Sequence, residues 1–221
     1  YQVADLITKD SDSKIVVLSA LSGTTNALVA IGNCLAQGDK EQAKDHIEKL
    51  EIHYKNFIMD LLAKEEFQAK AYTIIEEHFD FLNIILKISF SDALSKDILA
   101  QGELMSTKLF CVYLEEKEIP HFLLPALEFM MIDANEEPQV GIIRQKLMQI
   151  LDKHTDKKLF ITQGYICKNA RGEVDNLKRG GSDYTASLIA AAIEATVCEI
   201  WTDIDGMHNN DPRVVDKTQP I

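Results

Sequence analysis

Lys178-Arg179-Gly180-Gly181-Ser182-Asp183 is where the chemistry of this 221-residue chain is most legible. The segment follows a loop and opens a helix. Two successive glycines let a backbone approach a ligand closely, and the unpaired N–H groups of a helix start favour an anion. Arg179 can grip a carboxylate or phosphate through two parallel hydrogen bonds. Ser182 can cap the helix, and Asp183 suits its dipole. The same pattern also fits an ordinary capped helix with a solvated arginine. A second group runs from Thr202-Asp203-Ile204-Asp205-Gly206 to Asp211-Pro212-Arg213. Its Thr and Asp can meet a ribose, an adenine edge or metal-bound water, and Arg213 a phosphate; alternatively the Asp side chains stabilise a turn. A third is Gly102-Glu103-Leu104-Met105-Ser106. Glu103 stands near the expected start of a helix, where it either caps or binds a substrate ammonium.

The elements around these groups alternate. Lys14 to Ala20 is a β-branched run and reads as a buried strand. Leu21 to Thr25 is turn-like, and a helix follows from Asn26. Between Asp39 and Ala100 there is no Gly or Pro, and apolar residues such as Ile47, Leu50, Tyr54, Phe57 and Leu61 recur every three or four positions. That spacing predicts two or three amphipathic helices, read as a helical insertion over about 39–99 packed on the main domain. Further helices are expected over 103–118, 140–153 and 183–195, and strands over 119–124, 158–162 and 199–202, with a loop over 163–181. This order predicts an α/β fold, a three-layer αβα sandwich with a mostly parallel sheet. Ligands in such folds bind beyond the carboxyl ends of the strands. Segments 19–25, 163–183 and 202–213 all fall there.

Bulk properties narrow the partners. The formal net charge is −12, from 35 acidic and 23 basic residues, which argues against nucleic acid or an anionic membrane. No apolar run is long enough to span a bilayer, and no signal peptide is visible at Tyr1. Cys34, Cys111, Cys167 and Cys198 lack the spacing of a zinc site or disulfide framework, so reduced thiols and a cytoplasmic setting are expected. The six histidines are scattered, and no Ser-His-Asp triad or metal site is assigned.

Taken in order, several strings resemble those of the aspartate kinases within the amino acid kinase family. They are Val17-Leu18-Ser19-Ala20 leading to Thr25-Asn26, Gly102 to Ser106, Ile161-Thr162-Gln163-Gly164-Tyr165-Ile166, Arg179 to Tyr184, and Trp201 to Gly206 followed by Asp211-Pro212-Arg213. They span nearly the whole chain. The resemblance implies the amino acid kinase fold, with residues 1–221 forming a catalytic domain incomplete at both ends. It implies phosphorylation of the β-carboxylate of L-aspartate by ATP with Mg2+, an early step towards lysine, threonine and methionine. Arg179 would pair with the α-carboxylate of aspartate and Glu103 with its α-ammonium. Thr25, Tyr165 and Ser182 would line the same pocket. Ser19 would lie near the transferring phosphate, and Asp183 would organise a phosphate-binding lysine. Thr202, Asp203 and Arg213 would face ATP. A homo-oligomer is expected of the full-length protein.

The family's opening strand, whose Lys-Phe-Gly-Gly lysine holds the phosphates, has no counterpart in these residues. Residues 1–221 alone are therefore expected to be nearly inactive. Cys167 stands where the family has glycine, and His208 where it has tyrosine. Two other readings share parts of the pattern: a sister kinase acting on another small acid, and a non-catalytic amino-acid-sensing homologue.

Overall fold

The computed structural model describes residues 1–178, 180–201, 209–210, 214–215 and 217–219. In chain order the elements are α1 (Gln2–Ile7), β1 (Lys14–Leu18), α2 (Thr24–Ala36), α3 (Lys40–Leu61), α4 (Glu65–Ile85), α5 (Asp92–Glu116), β2 (Phe122–Leu124), α6 (Ala126–Phe129), α7 (Val140–Leu151), β3 (Leu159–Gln163), β4 (Ile166–Lys168), β5 (Val174–Asn176) and α8 (Gly181–Ile193).

β1, β3 and β2 form a parallel sheet in that order, with Val16 and Leu123 both opposite Ile161. Side chains on successive strand residues leave on opposite faces, and here both faces are apolar. Val16, Leu18, Leu123, Leu159 and Ile161 pack with α1 to α5. Ile15, Val17, Phe122, Leu124 and Phe160 pack with α6, α7 and α8. The result is the three-layer α/β sandwich expected from the alternation of elements. Arg144 closes the second layer by donating from Nη1 to the Ala192 carbonyl at the end of α8 (2.7 Å).

The helical segment is a pair, α3 and α4, packed on α2 and α5. Asp39 caps α3 by accepting from the Gln42 N–H at 3.0 Å. Ala43, Ile47, Leu50, Tyr54 and Ile58 line its buried face at helical spacing. The turn into α4 is held by buried Glu116 of α5, whose carboxylate accepts from the N–H groups of Ala63 (2.9 Å) and Lys64 (2.7 Å).

Four expectations need correction. α5 starts at Asp92, capped by Ser91, and runs for 25 residues through Gly102 instead of starting at Glu103. Gly102 is a packing site inside the helix: a Cβ there would lie 2.9 Å from Ala20 Cβ and 3.2 Å from Thr24 Cγ2. The stretch 163–181 is not all loop, for β4 and β5 pair antiparallel within it. Strands of three residues are too short to show an alternation. α8 begins at Gly181, two residues early, and its N-cap is Gly180 in a left-handed conformation (φ 75°), not Ser182. Glu199, Ile200 and Trp201 form no strand; Ile200 and Trp201 stand exposed, and among the described residues no strand pairs with them. An apolar run becomes a strand only where a ladder receives it.

An ion pair pins the hairpin to α5, Lys96 Nζ to Asp175 Oδ2 at 2.5 Å, with the Asp175 side chain only 7% exposed. Lys96→Ala removes the charge-assisted bond and leaves the carboxylate without its cation. Thermal or urea denaturation is expected to show a loss of roughly 1.5–3 kcal/mol. An unchanged melting midpoint would mean that the hairpin is held by its apolar contacts alone.

Candidate active site

At the carboxyl edge of the sheet, three connections meet. The first is the turn after β1. Ser106 Oγ of α5 donates to the Ser19 carbonyl at 2.8 Å, so α5 lies directly against this turn. The second is the end of β3. The Gly164 N–H donates to the Leu18 carbonyl at 2.9 Å. Gln163 is buried and spans outward, its amide donating to Thr107 Oγ1 and accepting from the Ala126 N–H, both at 2.8 Å. The third is the start of α8, which sits on the β3 end without space for a methyl group. A Cβ on Gly164 would fall 2.8 Å from Ser182 Cα, and one on Gly181 would fall 2.7 Å from Tyr165 Cδ2.

Tyr165 is held in a left-handed conformation (φ 65°), which a non-glycine residue adopts only where its surroundings impose it. Thr185 Oγ1 accepts from its N–H (3.0 Å), and its carbonyl accepts from the Leu177 N–H (2.8 Å). Thr185 in turn donates to the Gly181 carbonyl at 2.7 Å. Tyr165 and the first turn of α8 are thus one unit.

Glu103 faces this junction from the middle of α5, so its role as a helix-start cap is excluded. It is only 4% exposed. Burial pushes its carboxyl up to about 7, against weaker opposing bonds from backbone N–H groups. Among the described residues no ion pair reaches it. Its charge is felt by Tyr54 of α3 and by Tyr165, whose phenol is pushed up to about 12 by burial first and Glu103 second. A buried carboxylate without a cation is unfavourable in the empty protein and favourable as soon as a cation arrives.

Of the residues singled out in the sequence, Ser19, Glu103, Tyr165 and Ser182 therefore come together at one sheet edge. Thr25 and Asp183 are exposed on the first turns of α2 and α8. Arg179, Thr202, Asp203 and Arg213 lie outside the described residues. Sequence reasoning assigned no role to Thr24, Tyr54, Ser106, Thr107 or Gln163. Ser106 and Gln163 stood inside the quoted strings, whereas Tyr54 offered no signal beyond its place in an apolar stripe. A cavity of about 310 Å³ lies elsewhere, between α5 and the hairpin. Its charges are already engaged, Lys96 with Asp175, Arg171 with Glu173, and Asp133 with the N–H groups of Asn135 and Glu137.

A buried carboxylate at the turn after β1, with Tyr165 and the first turn of α8 at the same sheet edge, combines an acceptor for a cation with N–H groups that suit an anion. The sequence profile of the amino acid kinase family matches residues 1–221. The chain belongs to the amino acid kinase family. It is 32% identical to the lysine-sensitive aspartokinase 3 of Escherichia coli, over 99% of this chain and 48% of that protein. The crystal structure of E. coli aspartokinase III with aspartate and ADP superposes at a TM-score of 0.80, with 31% identity, over 99% of this chain and 48% of that one. The same enzyme with lysine and aspartate gives 0.70, at 31% identity, over 100% and 49%. The chain thus spans about half the length of the curated relative and of both solved structures. Among the described residues no helix is long and apolar enough to cross a membrane.

Proposed function

We propose that this chain is the catalytic part of an aspartate kinase, which transfers the γ-phosphoryl group of ATP to the β-carboxylate of L-aspartate. The observation that carries the reading is buried Glu103, uncompensated among the described residues, bonded to the backbone of the turn after β1 at Ala20 and close enough to act on Tyr165, on which the start of α8 rests. Such a group suits the α-ammonium of an amino acid. The adjoining N-terminus of α8, together with Arg179, suits its α-carboxylate. Thr25, Tyr165 and Ser182 line the pocket in this reading. Ser19 lies towards the transferring phosphate, Asp183 organises a phosphate-binding lysine, and Thr202, Asp203 and Arg213 face the nucleotide. The binding of aspartate and ADP by a relative at 31% identity supports it.

No general base is required. The β-carboxylate is already ionised at neutral pH; its oxygen forms the new bond to the γ-phosphorus, the bond from that phosphorus to the β,γ-bridging oxygen breaks, and ADP leaves with that oxygen. Rate enhancement then comes from alignment and from neutralising phosphate charge. Among the described residues no cluster of three or more His, Cys, Asp or Glu is placed to hold a metal. Mg2+ would be carried by the ATP phosphates and would supply charge neutralisation there. The helix pair α3–α4 is, in this proposal, an insertion into the catalytic domain; the parent protein is cytoplasmic and a homo-oligomer. The test is ADP release by the full-length parent protein, with hydroxylamine present to trap an acyl phosphate. Aspartate should drive both signals. Turnover with glutamate or an acetylated amino acid in its place would point to a sister kinase, and no turnover with any of them would sink the catalytic reading.

A further inference from the structure

We infer that Tyr54, on helix α3, is a positioning residue for aspartate: its hydroxyl fixes the first turn of α2, and through that turn the place of Glu103. The inference rests on the aspartate-kinase reading of the site.

Three observations lead there. Tyr54 is 0% exposed, and its hydroxyl lies 3.2 Å from Oγ1 of Thr24, which is itself 0% exposed. Thr24 is the first residue of α2 and immediately precedes Thr25. On its other side, the Thr24 methyl would lie 3.2 Å from a Cβ at Gly102, so it packs on α5 one residue before Glu103. Tyr54, Thr24 and Gly102 therefore form a continuous contact from α3 to the two elements that carry Thr25 and Glu103.

The chemistry distinguishes this from plain packing. The Tyr54 ring is fixed edge-on against Phe79 of α4, with centroids 5.9 Å apart, and phenylalanine would serve that contact as well. The hydroxyl is needed only for its hydrogen bond, since a buried phenol without a partner is unfavourable. A phenol also suits the neighbourhood. Burial and the nearby Glu103 carboxylate hold Tyr54 firmly neutral, so it can hydrogen-bond there without adding a charge that competes for the ammonium. A lysine or histidine in its place would neutralise Glu103 from within the protein. Helix α3 thereby helps to place Thr25 and Glu103, although it belongs to neither of the elements that carry them.

The experiment uses the full-length parent enzyme with Tyr54→Phe, Thr24→Val and the double variant. Each single change should raise KM for aspartate about three- to tenfold, the effect of one buried hydrogen bond. The value of kcat and KM for ATP should stay close to wild type. The double variant should be no worse than the weaker single, because both remove the same bond. A merely structural tyrosine would instead lower stability and the active fraction while leaving KM for aspartate unchanged. That result, or an equal rise in KM for ATP, overturns the inference. Should Tyr54→Phe fail to fold, Thr24→Val, which keeps the side-chain shape, decides by the same measure. If the wild-type enzyme itself does not use aspartate, the functional reading falls and this inference with it. If wild type uses aspartate and the variants bind it normally, only the role of Tyr54 falls.

Discussion

Glu103→Gln in the full-length parent protein is expected to lower kcat/KM for aspartate about a hundredfold or more, because breaking a buried charge pair by removing one partner costs about 3–5 kcal/mol. KM for ATP should hold, since Glu103 faces the amino-acid side of the site in this reading. The change keeps the side-chain shape and removes only the charge. In the absence of substrate its effect on stability has the opposite sign. The Glu103 carboxyl is raised from 4.5 to about 7 in the folded protein. Between these values the folded chain holds a proton that the unfolded chain has released, so stability falls as pH rises. The contribution is fully present below about pH 4.5 and is lost as pH passes through about 7, on the order of 3 kcal/mol in all. The glutamine variant lacks this term. Urea unfolding at pH 5 and pH 8 should therefore show it gaining on wild type as pH rises. Aspartate binding should also take up the deprotonated carboxylate, so wild-type KM for aspartate should fall as pH approaches about 7 from below. Normal aspartate kinetics in Glu103→Gln would remove Glu103 from the ammonium site.

Gly164→Ala is expected to be comparably damaging by a different route. The new methyl group would meet Ser182 at its Oγ, Cβ and Cα, the last at 2.8 Å. A flexible side-chain tip could move away, but a backbone atom in the first turn of α8 cannot yield without the helix. Overpacking of this kind costs typically about 1–3 kcal/mol. The larger effect should be on rate. A displacement of roughly 1 Å between groups that must be aligned is enough for about a hundredfold loss, and this contact separates the β3 end from Ser182 and the α8 N-terminus. The expected result is a folded enzyme with a modestly lower melting point and kcat/KM for aspartate down about a hundredfold. Near-normal turnover would show that α8 can shift without consequence, and that its first turn does not hold the substrate.

The two variants differ in how far they could be anticipated. Glu103 was legible as a possible ammonium ligand, but so was a helix-capping role, because Gly102 looked like a boundary. A glycine inside a helix resembles a break until the element packed against it is known. Here that element is the Ala20–Leu28 turn and helix, which approaches too closely for any side chain. Gly164 stood within a quoted string, yet nothing local distinguished it from other turn glycines. Three-residue strands carry no periodicity, so the hairpin is invisible in the sequence, and the apolar run at Ile200 and Trp201 carries no information about a ladder partner.

Local periods and residue types are written in the chain before it folds. The β-branched run of β1, the three-to-four spacing of α3 and α4, and the strand–helix alternation suffice for an α/β sandwich with two apolar sheet faces, because burial follows from periodicity. The order of Ser19, Glu103, Tyr165 and Ser182 along the chain, too, was enough to nominate them. Packing alone sets Glu103 mid-helix and buried, starts α8 at Gly181 against Tyr165, and brings Tyr54 to Thr24 from thirty residues away. These are contacts between elements distant in sequence. Their energies depend on desolvation and close approach, which come into being only when the elements pack.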